Sequence, residues 1–116
     1  MKSNKLIPVL GIAIFNAFLS IQTVYASSYA GYVEKLVVGR DGHQVFIHMK
    51  DAPTTCNLEH PLGFNYAFSL RDHEAGREML SALLAAKMAG TRVVVQGTDA
   101  CTISSDMENV AYIYVL

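Results

Sequence analysis

The chain has 116 residues, 52% of them hydrophobic, with nine Lys and Arg against ten Asp and Glu. That length suits a single domain. A formal charge of −1, with no basic block, leaves no positive face for a phosphate backbone, so nucleic acid is not an expected partner.

The first elements in chain order are those of a secretory signal peptide. Lys2 and Lys5 form a short positive start, and 6–19 is apolar apart from Asn16. Val24-Tyr25-Ala26 then places small residues where a signal peptidase reads, predicting cleavage after Ala26. The apolar run is shorter than the roughly 20 residues that span a bilayer. A cleaved signal at 1–26 is therefore expected rather than an anchor, with no membrane insertion afterwards. The remaining domain, 27–116, keeps seven basic residues against ten acidic ones. Its expected destination is secreted or periplasmic.

Residues 31–38 are rich in β-branched and aromatic types and read as a strand. Gly39-Arg40-Asp41-Gly42 has turn chemistry. Residues 43–49 then alternate, with Val45, Ile47 and Met49 on one face and Gln44, Phe46 and His48 on the other. The two segments predict a hairpin. A loop over 50–63 carries Pro53, Cys56 and Pro61. Tyr66, Phe68 and Leu70 alternate with Asn65, Ala67 and Ser69 as a third strand.

A helix follows, with Asp72 as expected N-cap and Glu74 and Glu78 in its early turns, where the helix dipole favours acids. Leu80, Leu83, Leu84 and Lys87 recur at helical spacing, Met79 and Met88 widen the apolar face, and Gly90 fits the position past the end. Residues 91–96 predict a fourth strand, 97–107 a polar loop carrying Cys101, and 109–115 a fifth strand. Strict alternation groups Val110, Tyr112 and Tyr114 against Ala111, Ile113 and Val115. Both groups are apolar, so one faces a core and the other a partner subunit, a ligand or a covering loop.

The order β-β-β-α-β-β, mainly β with one helix, matches an OB-fold-like five-stranded barrel. An open α+β sheet covered by the helix has the same order. In an OB barrel the third and fifth strands are parallel neighbours, and Cys56 and Cys101 precede them by similar distances. Two cysteines in an exported domain predict one disulfide, Cys56–Cys101. By loop-closure entropy it stabilises the fold by about 4 kcal/mol at most.

Catalytic signatures are missing: there is no G-x-S-x-G, H-E-x-x-H, P-loop or C-x-x-C. His43 and His48 lie five residues apart on one strand, hence on opposite faces. A zinc or copper site from His48, Met49 and His60 is conceivable, but scattered surface histidines are the commoner outcome. The Glu74/Glu78 pair reads as an exposed face before it reads as a cation site. No catalytic, cofactor or metal residue is assigned, and the ligand-binding residues are left open.

From the third strand onward the chain resembles the receptor-binding B subunits of subtilase-cytotoxin-like and pertussis-like bacterial toxins. Carrying the likeness are Phe68-Ser69, the helix with Leu80, Ala85 and Ala86, the run Gly90-Thr91-Arg92-Val93-Val94-Val95, and Cys101 in the next loop. Arg92 precedes Val93 here, so the register departs from the family's Gly-x-x-Val-Arg-Ile, and tryptophan is missing. The resemblance implies an OB-fold, a tendency to form rings, and glycan binding without catalysis. The expected function is therefore a non-catalytic secreted binding module that recognises glycans or a cell-surface receptor as a homo-oligomer. The alternative is a periplasmic accessory or inhibitor that binds another protein.

Overall fold

The computed structural model of the chain describes residues 27–53, 56 and 63–116; the expected signal, 1–26, and His60 lie outside the described residues. Strand β1, Ser28–Gly31, passes through Tyr32 alone into β2, Val33–Arg40. The chain then reverses through Gly39 (φ 90°), Asp41 (φ 53°) and Gly42 (φ 88°). Glycine enters this left-handed region without strain and aspartate tolerates it. Strand β3, Gln44–Met49, returns along β2 as expected of the hairpin.

Next come β4 (Tyr66–Ser69), helix α1 (Gly76–Ala89), β5 (Val93–Gly97) and β6 (Glu108–Val115). The chain is mainly β with one helix, and its sheet curls into a half-barrel of order β1-β5-β6-β4-β3-β2. Every pairing is antiparallel except β4 with β6, which run parallel through Tyr66↔Glu108 and Ala67↔Asn109. The sheet has six strands where five were expected. The difference lies at Tyr32: β1 pairs with β5 while β2 pairs with β3, at opposite ends of the order. A strand serving two distant partners must bend, and one residue leaves the ladder at the bend.

The concave side is filled by Val45, Ile47, Met49, Tyr66, Phe68, Val93, Val95 and Val110, against Met79, Leu83 and Ala86 of the helix. Each large side chain buried this way contributes about 1.5–3 kcal/mol. The buried helix seam thus runs Gly76, Met79, Leu83, Ala86. It keeps Met79 and Leu83 of the expected face, with Leu80 half-buried beside them, and corrects the rest, since Leu84 is 45% and Met88 87% exposed. Gly76 fixes the seam: a Cβ there would lie 2.7 Å from the Ser69 carbonyl oxygen and 2.9 Å from Leu70 Cα. The helix start therefore rests on the backbone leaving β4.

Asp72 is not the N-cap. Ala75 holds that position without a side-chain cap of its own, and its N–H donates to His73 Nδ1 at 3.0 Å. Asp72 instead pairs with Arg71 on the surface, 3.2 Å apart. Gly90 ends the helix as expected, at φ 68°, and Thr91 N–H donates to the Ala86 carbonyl at 2.9 Å.

Strict alternation fails in β6. The ladder pairs Gln96 with Tyr112 but Gly97 with Val110, so Ala111 is a bulge residue. The extra residue returns Val110 to the core face, while Tyr112 and Tyr114 stay outside at 55% and 52% exposure. His73 Nε2 donates to the Ala111 carbonyl at 2.9 Å, tying the bulge to the helix start. On the convex side Phe46, Ala67 and Met107 form a smaller apolar cluster with Val37, Phe64 and Ile103. The Cys56–Cys101 disulfide is present, with Cα atoms 6.4 Å apart, and joins the segment before β4 to the loop before β6.

Candidate functional site

Of the residues considered for metal or acid–base chemistry, His60 lies outside the described residues and the described ones do not assemble. His48 and Met49 are strand neighbours on opposite faces, and Met49 is fully buried in the core. Both His48 ring nitrogens are engaged, Nε2 with Glu34 at 2.6 Å and Nδ1 with the Gly63 carbonyl. His43 Nε2 accepts from Arg71 at 3.3 Å. Among the described residues no three His, Cys, Asp or Glu side chains are grouped to hold a metal ion.

Among the described residues, three surface clefts stand out as open to a ligand. One, about 870 Å³, runs between the β2–β3 turn and the helix start, and includes His43, Arg71, His73, Glu74, Arg77 and Glu78. Its charges largely offset one another, and histidine supplies its only rings. A second, about 340 Å³, lies between Phe68, His73 and the loop holding Thr98, Thr102 and Ile103.

The third cleft, about 250 Å³, is built around the strand break and is lined by Tyr29, Ala30, Gly31, Tyr32, Lys50, Asp51 and Arg92. Gly31 permits it, because a Cβ there would lie 2.7 Å from the Tyr29 ring. The Tyr29 hydroxyl donates to the Lys50 carbonyl at 2.8 Å, and Lys50 N–H donates to the Tyr32 carbonyl at 2.9 Å. Asp51, at φ 62°, turns the chain out of β3. Arg92 stands just before β5, its carbonyl accepting the Leu116 N–H at 2.9 Å. Two cations, one carboxylate and the half-exposed Tyr32 ring (47%) thus meet at one concavity.

Of this set the sequence places Gly31 and Tyr32 in the first expected strand and Arg92 in the fourth, with no binding role assigned to any of them. Lys50 and Asp51 looked like the start of a loop, and Arg92 like an ordinary strand residue. Tyr29, two residues ahead of the first expected strand and on the same face as Gly31, was the available signal that pairing begins earlier.

Outside the clefts, Tyr112, Tyr114, Val115 and Leu116 form an exposed apolar surface at the end of β6, each 47–57% exposed. Compared with known proteins, the chain matches no family model, no curated protein and no solved structure.

Proposed function

We propose that residues 27–116 form a non-catalytic secreted binding module of the OB-fold type that recognises a glycan. The observation that carries this reading is the strand-break cleft. Sugars are held by an aromatic face against their C–H surface and by charged or planar groups that fix their hydroxyls and carboxylates. Tyr32 and Tyr29 supply the first, and Arg92, Lys50 and Asp51 the second. The excess of positive charge favours sugars bearing a carboxylate.

The OB-fold reading draws support from the topology. Counted as one bent strand, β1 and β2 reach β5 at one end and β3 at the other, and the helix falls between β4 and β5. The Cys56–Cys101 bond suits an oxidising compartment. Among the described residues no helix is long and apolar enough to cross a membrane. The likeness to toxin B subunits points the same way and adds homo-oligomeric assembly, for which Tyr112 and Tyr114 offer a surface. That surface also favours the second reading, a periplasmic accessory protein docking another protein there.

The test is a glycan array probed with exported, disulfide-bonded protein. Saturable binding to a defined set of glycans is expected, with Tyr32→Ala and Arg92→Ala each weakening it about tenfold or more, the scale of a charged hydrogen bond. Binding indifferent to both substitutions rules out this cleft, and no binding to any glycan rules out the function.

A further inference from the structure

Glu108 carries a carboxylate into the protein interior: it is 3% exposed. Its side chain lies over Gly97, where any Cβ would collide with the carboxylate. Oε2 accepts the N–H of Asp99 at 2.8 Å and that of Ser27 at 3.1 Å, and Oε1 accepts the Ser27 hydroxyl. Among the described residues no lysine, arginine or histidine lies within ion-pair distance of it. A buried carboxylate held only by neutral donors is costly unless a cation joins it.

Ser27 is the residue that cleavage after Ala26 would place first. We propose that removal of the signal peptide supplies a cation beside this carboxylate, so that the new α-ammonium group of Ser27 forms a buried ion pair with Glu108 and completes the fold. This rests on the cleavage reading of the sequence. Before cleavage the Ser27 nitrogen is a neutral amide. Hydrolysis of the Ala26–Ser27 bond gives Ala26 its carboxylate and Ser27 an amine, which is ordinarily protonated below about pH 7.7. The nitrogen already stands at the carboxylate, 3.1 Å from Oε2. Ser27 is also fixed in place: its carbonyl accepts the Gly97 N–H at 2.8 Å, and its hydroxyl lies 3.1 Å from that of the buried Tyr66. The pair links the first mature residue to a strand 81 positions away, so the processed chain is the more stable form.

The experiment exports the full precursor, and a second precursor with one glycine inserted between Ala26 and Ser27, each with and without Glu108→Gln. Mass spectrometry of the recovered proteins reads the N-terminus, and urea titration reads the folding equilibrium. The native precursor is expected to yield Ser27 first. The inserted glycine should then lower the folding constant about tenfold to a hundredfold, as expected for a charged hydrogen bond, and have little effect beside Glu108→Gln. A second readout covers variants that do not fold. The Ser27 amine of the native protein should react with an amine-selective acylating reagent about tenfold more slowly than in the urea-unfolded chain. An N-terminus other than Ser27 overturns the inference through the cleavage it rests on. A Ser27 N-terminus with no effect of the glycine, or with full native amine reactivity, overturns the ion pair itself.

Discussion

Burial pushes the Tyr66 hydroxyl above its ordinary value of 10.0; the nearby Glu108 carboxylate and Tyr29 add to the rise, and the hydrogen bond to Ser27 opposes it. As pH rises past that ordinary value, the unfolded chain gives up this proton before the folded one. Stability is thus unaffected by Tyr66 below about pH 10 and falls above it. Urea unfolding at stepped alkaline pH should show this decline, and Tyr66→Phe should make it shallower. At neutral pH the same substitution should cost about 0.5–1.5 kcal/mol through the lost hydrogen bond. An unchanged alkaline slope would remove Tyr66 as its source. Gly97→Ala should cost about 1–3 kcal/mol by overpacking against Glu108, measured in the same titration. Single-residue roles were unevenly legible in the sequence. Cys56 and Cys101 announced their bond by their even number in a domain expected to be exported. Glu108 did not announce its burial, because the donors that permit it come from Ser27 and Asp99 through sheet pairing, which no local pattern encodes.

Among the elements, the helix gives the sharpest test. Leu83 is fully buried and Leu84 is 45% exposed. Leu83→Ala should therefore cost about 2–5 kcal/mol, and Leu84→Ala under about 0.5 kcal/mol. Equal losses would contradict the seam. The helix was legible from its spacing and from Gly90, yet its phase was not. Leucines invite a seam through 80, 83 and 84, whereas Gly76 must meet the β4 exit, and that close approach turns Met79, Leu83 and Ala86 inward. The start was misread for a related reason. Asp72 is the better cap by type, but His73 reaches both the Ala75 N–H and the bulge at Ala111. All five expected strands are present; what periodicity missed were departures from it, among them the break at Tyr32, the bulge at Ala111 and the register shifts at Glu34 and Gly39 in β2.

For the whole molecule, the disulfide closes a loop between residues 45 positions apart. Its reduction should cost up to about 4 kcal/mol, seen as a lower urea midpoint with reductant present. The outward placement of Tyr112 and Tyr114 supports self-association through the end of β6. Light scattering should give an integer multiple of the mature chain mass that falls to one chain in Tyr112→Glu/Tyr114→Glu. A wild-type monomer at high concentration would end that proposal and leave the glycan cleft to stand alone. The mainly β class with one helix was readable from element order. The cleft was not, because Tyr29, Lys50 and Arg92 meet only where β1, the end of β3 and the start of β5 converge. The central claim is that this convergence binds sugar. Calorimetric titration of exported protein with the glycan giving the strongest array signal measures it directly. Saturable binding at one glycan per chain, weakened by Arg92→Ala while the variant's urea midpoint stays unchanged, is the result the account predicts; absence of heat from correctly disulfide-bonded protein, or binding that Arg92→Ala leaves intact, would contradict it.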